Sequence, residues 1–199
     1  MKQATARAAA NCFSVRSISE GLYGSGSVEP RLLWGQKLVS AGALFSSAHR
    51  LWHPHRMNTA ETNGLIAVIQ TLVSDRDDLR AMAVCGSWAR GNPRPDSDLD
   101  VLIIAQDPGS LRRHQEWMRE LRFSDAGFRY LAHHGAQYGA VWSAHIKLEP
   151  EAELELTFAA ESWASVRLID PGTRRVVTDA FKILIDKDGA LRSLCDACS

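Results

Sequence analysis

An α+β fold is what this sequence predicts, and two patterns predict it. Leu65, Ile66, Ile69, Leu72 and Val73 recur at the spacing of one helix face. Glu153 to Phe158 alternates strictly, with Leu154, Leu156 and Phe158 on one side and Glu153, Glu155 and Thr157 on the other, the period of a half-buried strand. The 199 residues, 45% apolar and 23% charged, suit one such domain with an appendage at most.

The elements follow in order from near Thr59. Thr62 or Asn63 is expected to cap the first helix. After a charged break at Asp75 to Asp78, the apolar run Ala81 to Cys85 reads as a buried strand ending at Gly86. Gly86 to Pro95 is rich in turn residues, and Leu99 to Ala105 is a second strand closed by Asp107-Pro108-Gly109. Leu111 to Phe123 reads as a polar helix with Leu111, Met118 and Leu121 inward, and Phe128 to Leu131 as a third strand. Val141 to Leu148 alternates with Trp142, Ala144, Ile146 and Leu148 on one side, and Glu149-Pro150-Glu151-Ala152 joins it to the next strand as a hairpin. Phe181 to Ile185 is a last strand, ended by Asp186-Lys187-Asp188-Gly189, with a short helix after it.

Residues 1–57 differ from the rest. They carry seven Lys or Arg and two Glu, whereas residues 58–199 carry sixteen basic and twenty-one acidic side chains. The first part is rich in Ala, Ser and Gly and has no sustained period, apart from an apolar stretch over 38–48 that suits a short helix. Three readings stand open. It is a disordered extension, an organelle-targeting segment free of acids over residues 1–19, or an untranslated stretch, since Met57 directly precedes the patterned region. The first and third are favoured, so the expected domain is residues 58–199.

Charge and hydropathy exclude several function classes. Basic and acidic residues balance at 23 each, which disfavours a general nucleic-acid binder. The longest uncharged apolar run, Leu38 to Ala48, has eleven residues, too few to span a bilayer. Four cysteines make no dense disulfide framework and fit a reducing, cytoplasmic compartment.

The chemistry lies between Cys85 and Ile104. Gly86-Ser87 after a buried strand allows a sharp turn, and a helical turn beyond it would offer free N–H groups and the Ser87 hydroxyl to an anion. Arg90, one turn further, could add a bidentate phosphate contact. Asp98-Leu99-Asp100 opens the next strand, so both carboxylates share one face while Leu99, Val101 and Ile103 take the other. Two carboxylates side by side repel, and a divalent cation between them relieves that repulsion. A phosphate cradle ten residues before a metal pair is what chemistry on a nucleoside triphosphate requires.

At these residues the chain resembles the DNA polymerase β-like nucleotidyltransferase superfamily. The family pattern, an apolar residue, Gly-Ser, a spacer of about ten, then Asp-apolar-Asp-apolar, stands here as Cys85-Gly86-Ser87 and Asp98-Leu99-Asp100-Val101. The fuller pattern of small bacterial members, the minimal nucleotidyltransferases that pair with HEPN-domain toxins, is met by Gly86 to Gly91 and Ser97 to Asp100, with Pro93 where those members usually have Ala. The resemblance implies a small mixed β-sheet backed by helices, two Mg²⁺ ions, and transfer of an NMP, AMP by preference, from an NTP such as ATP to an acceptor hydroxyl. It also implies a third carboxylate on a later strand. Glu155 is the candidate and Glu153 on the same face its rival; the family more often has Asp there. The implied catalytic and metal-holding residues are therefore Asp98, Asp100 and Glu155, with Gly86, Ser87 and Arg90 binding nucleotide. The acceptor is a small molecule or a protein. The alternative is an antitoxin-like protein that binds and silences a HEPN-type partner. Only 44 residues follow Glu155, little room for the helical substrate domain of many relatives.

Other residues carry plainer expectations. Arg90 has a rival role as an ion-pair partner of Asp96, and Trp88 is expected to pack rather than stack on a base. Ser143, His145 and Lys147 share a strand face that could be the one beside Glu155 but is expected to be a polar outer surface, and Arg174 and Arg175 after an Asp170-Pro171-Gly172 turn are expected to be solvated. Cys195-x-x-Cys198, His53-Pro54-His55 and His133-His134 lack the partner ligands a metal site needs. Gly21 to Ser27 follows no strand and is no nucleotide loop.

Overall fold

The chain is described from a computed structural model covering residues 57–94 and 97–199, all within one unit, His49–Ser199. The expectations for residues 1–56, which include the extension itself, the helix over 38–48, His53-Pro54-His55 and Gly21 to Ser27, lie outside the described residues, as does Asp96.

Helix α1 (Thr59–Asp75) begins one turn earlier than expected. Its cap is Asn58, not Thr62 or Asn63. The Asn58 side chain accepts from the Glu61 N–H at 3.0 Å, and Glu61 accepts from the Asn58 N–H at 2.8 Å. Of the three polar candidates, Asn58 alone has an acid three residues on, and such a box contributes about 1 kcal/mol. Thr62 instead is buried, its hydroxyl donating to the Asn58 carbonyl at 3.0 Å.

Strand β1 (Leu79–Cys85), the single turn α2 (Gly86–Ala89) and strand β2 (Leu99–Ala105) follow where expected. The helix expected over 111–123 is broken in two, α3 (Pro108–Arg113) and α4 (Trp117–Glu120), followed by a 3₁₀ turn at Phe123–Ala126. The buried Leu111, Trp117, Met118 and Phe123 do not fall on one helical stripe, and the Trp117 indole N–H takes the Leu111 carbonyl at 3.2 Å. Strand β3 (Arg129–Tyr138) is longer than the expected 128–131. It is an edge strand, exposed along both faces, so its second half carries no apolar alternation to read. Strands β4 (Val141–Glu149) and β5 (Ala152–Ala160) form the expected hairpin. Asp170-Pro171-Gly172 is not a free turn but the start of helix α5 (Pro171–Asp179). The Asp170 carboxylate accepts from the Gly172 and Thr173 N–H groups at 2.9 and 3.1 Å, and Pro171 sits at the first helical position. Strand β6 (Phe181–Asp186) and helix α6 (Ala190–Cys198) complete the fold.

The six strands form one mixed sheet in the order β3-β4-β5-β2-β1-β6. Only β2 and β5 run parallel. Alternation divides the side chains between two cores. Leu99, Val101 and Ile103 of β2, Leu154, Leu156 and Phe158 of β5, and Ala144, Ile146 and Leu148 of β4 face α1 and the segment 108–128. On the second face Ala81, Ala83, Leu102, Ile104 and Ala159 pack against Leu191, Leu194 and Cys198 of α6. The remainder of that second face, toward the starts of β2 and β5, is polar. No helix of the described residues is long and apolar enough to cross a membrane.

Candidate active site

The site occupies the polar half of the second face. Parallel pairing of β2 with β5 sets Asp100 directly beside Glu155, and antiparallel pairing of β5 with β4 sets Glu155 beside His145. The β3–β4 register then adds His134 opposite His145. A single row therefore crosses four strands: His134, His145, Glu155, Asp100. Asp98 and Glu153 lie two residues away on the same face.

Gly86 closes the site at the end of β1. Its φ is +66°, and a Cβ there would stand 2.9 Å from Asp100 Oδ2. Any side chain would thus collide with the carboxylate the site is built around. The turn beyond it winds back, with the Arg90 N–H donating to the Gly86 carbonyl at 3.1 Å and Asn92 N–H to the Ser87 carbonyl at 3.1 Å. Ser87 lies in α2, half-buried. The loop is pinned just before Asp98, where the Arg94 N–H donates to the Ser97 hydroxyl at 2.8 Å.

Crowding of acids shapes the electrostatics. Burial, then Glu155, then Asp98 push the Asp100 carboxyl up to about 7. Burial, then Asp100, push the Cys85 thiol up to about 12, so this cysteine is neutral and inert as a nucleophile. His145 is raised above the ordinary imidazole range by a hydrogen bond to Glu153 and by the charge of Glu155. Its Nδ1 stands 3.7 Å from Glu155 Oε2 and 3.7 Å from Glu153 Oε1. Carboxylates gathered this way supply the hard oxygen donors a magnesium ion prefers, and their repulsion is what a cation would relieve. Among the described residues, no three His, Cys, Asp or Glu side chains already converge on a single metal position.

Asp98, Asp100, Glu155, Gly86 and Ser87 thus share one region, with Glu153 at its edge. Arg90 is engaged elsewhere. Its Nη1 donates to Asp179 Oδ2 at 2.7 Å on the surface, tying α2 to the end of α5. Trp88 packs against the first core, as expected. The expectation that Ser143 and His145 are an outer polar surface is overturned. Ser143 is fully buried and shares a 2.7 Å hydrogen bond with the Thr157 hydroxyl, while the His145 side chain is only 13% exposed. Their neighbours on β5 and β3 cover them. The signal for His145 was in the hairpin. A tight connection over 149–152 fixes the register, and counting back from it lands His145 opposite Glu155. The exposed Lys147 fits the expected surface. Arg174 and Arg175 are exposed, as expected, and Arg174 Nη1 also donates to the Cys198 carbonyl at 3.3 Å.

Residues 66–162 match the nucleotidyltransferase domain family. These residues form a nucleotidyltransferase domain. No curated protein matches the chain. Solved structures similar to it include an aminoglycoside 6-adenyltransferase from Bacillus subtilis, at 14% identity and a TM-score of 0.39, covering 52% of this chain and 36% of that one. A cytoplasmic RNA terminal U-transferase is similar at 18% identity and a TM-score of 0.36, covering 52% and 30%. A toxin-antitoxin solved with AMP-PNP is similar at 12% identity and a TM-score of 0.33, covering 69% and 82%. The chain therefore spans about a third of the length of the first two. At these identities nothing of those proteins' substrates carries over to it.

Proposed function

We propose that residues 58–199 are a catalytic unit that transfers AMP from ATP to an acceptor hydroxyl on a small molecule or a protein, in the cytoplasm. The observation that carries the reading is the approach of Gly86 to Asp100 beside Glu155, within the segment that matches the family.

The first turn of α2 presents N–H groups that lack helical partners, and with the Ser87 hydroxyl these suit the β- and γ-phosphates. Gly86 lets the phosphates approach the backbone where any Cβ would block Asp100. Asp98, Asp100 and Glu155 would hold Mg²⁺, two ions by the resemblance. Bound there, Mg²⁺ supplies charge neutralisation on the phosphates and a lowered pKa at the attacking hydroxyl. In the transfer, the acceptor oxygen forms a bond to the α-phosphorus. The bond from that phosphorus to the bridging α–β oxygen breaks, and pyrophosphate leaves with the electron pair. The hydroxyl proton passes to Glu155, the carboxylate on the side of the site away from α2. Arg90, the remaining nucleotide-binding candidate, donates to Asp179 through Nη1 at 2.7 Å.

The test uses ATP labelled in the α-phosphate, with Mg²⁺ and a cell extract as acceptor source. Label should appear on non-nucleotide material with the native chain and not with Asp98→Ala. Transfer unaffected by Asp98→Ala would refute the assignment.

A further inference from the structure

We propose that His145 is a positioning residue: it fixes Glu155 for the divalent cation and holds Glu153 out of that role. The inference rests on the nucleotidyltransferase reading of Asp98, Asp100 and Glu155.

Glu155 carries its carboxylate on one more methylene and one more rotatable bond than its neighbour Asp100. That freedom must be removed before the carboxylate can hold a metal firmly. Glu155 is held from two sides. Its Oε1 accepts from the Thr157 hydroxyl at 3.3 Å, and that hydroxyl is itself bonded to the buried Ser143 at 2.7 Å. Its Oε2 faces His145 Nδ1 at 3.7 Å. The same nitrogen stands 3.7 Å from Glu153 Oε1, so one imidazole spans both glutamates. In the strand register Glu155 lies beside Asp100 of β2, whereas Glu153 lies beside Lys147 of β4.

The imidazole is itself fixed. The His134 ring stacks on it, with centroids 4.6 Å apart and planes within 7°. The Tyr138 ring meets it edge-on at 6.4 Å, and the Tyr138 hydroxyl lies 3.4 Å from Nε2. His134 and Tyr138 both come from the edge strand β3, which gives that exposed strand a role in the site. Groups standing behind a metal-holding side chain orient it in this manner.

Mn²⁺ binding to the full chain tests the proposal. The probe is Mn²⁺ with a non-hydrolysable ATP analogue, and free Mn²⁺ is read by electron paramagnetic resonance. His145→Phe, which keeps the ring stack and removes the donor, should weaken Mn²⁺ binding about tenfold. His145→Gln keeps a donor and should stay within about threefold of the native chain. Glu155→Gln should weaken binding, the pair His145→Phe/Glu155→Gln no further, and Glu153→Gln should leave it unchanged. Native-like Mn²⁺ binding by His145→Phe, or losses that add in the pair, would overturn the proposal. Where His145→Phe shows no cooperative melting, His134→Ala and Tyr138→Phe carry the test. Weakened Mn²⁺ binding by both supports the positioning role, and native binding by both overturns it. A native chain whose Mn²⁺ binding survives Asp98→Ala/Asp100→Ala would overturn the site assignment and this inference with it. That outcome is distinct from a result confined to His145.

Discussion

The two faces of the sheet are made from the same strands and obey different rules. On the first face Leu99, Val101, Leu154, Leu156 and Ile146 are all buried against helix α1 and the 108–128 segment, and no charge interrupts them. On the second, apolar residues stop part-way along each strand. Beyond Leu102 and Ala159 come Asp100, Asp98, Glu155 and Glu153. Adjacent residues such as Glu155 and Leu156 therefore do opposite work. The first face holds the fold, and the second spends stability on gathering like charges that a cation can use.

That contrast sets the expected behaviour of neighbouring substitutions. Leu156→Ala should cost about 2–5 kcal/mol in chemical denaturation, because it opens a cavity in the larger core. Whatever remains folded should still be stabilised by ATP with Mg²⁺. Glu155→Gln should do the reverse. It should keep or raise the melting temperature of the free protein, since it removes a charge crowding Asp100, and it should lose label transfer.

The second face should also make stability depend on pH. Asp100 titrates near 3.8 in the unfolded chain and at about 7 in the fold. The folded state thus holds this proton more tightly. Its contribution is fully present below about pH 4 and is lost as pH rises to about 7. The melting temperature of the metal-free protein should fall across that window, and Asp100→Asn should flatten the fall. An unchanged slope in Asp100→Asn would place the titration on another group.

Gly86 joins the two faces. Gly86→Ala forces an L side chain into positive φ, about 1–2 kcal/mol of strain, and sets its Cβ 2.9 Å from Asp100 Oδ2. Both the melting temperature and ATP binding should drop. The smallest effect belongs to Arg90→Ala. Its partner Asp179 is exposed, so stability should change by about 0–1 kcal/mol. A large loss of ATP affinity in that variant would mean that Arg90 leaves Asp179 to bind phosphate.

How much of this was legible follows from the same contrast. Strict alternation over Glu153 to Phe158 and the apolar run over 99–105 mark both strands and the face each side chain takes. The Gly-Ser and Asp-x-Asp spacing brings Gly86, Ser87, Asp98 and Asp100 into view because local turn chemistry fixes their relation. The pairing of Asp100 with Glu155 is another matter. It depends on a parallel register between strands fifty residues apart, which no local pattern encodes. The edge strand β3 escaped for a different reason. Exposed on both faces, it needs no apolar alternation, so His134 and Tyr138 carried no sign of their place beside His145. The broken helix over 108–120 was misread because its apolar residues answer to tertiary packing rather than to helical period.

The most direct measurement is a thermal-shift series on the full chain. Each NTP is tested with and without Mg²⁺, beside Asp98→Ala/Asp100→Ala. At a hundred times its dissociation constant, a bound nucleotide should stabilise the fold by about 2.7 kcal/mol. A shift that needs Mg²⁺, is largest with ATP, and disappears in the double variant is the predicted result. A shift that persists in the double variant, or no shift with any nucleotide and Mg²⁺, would contradict a donor site built on the second face.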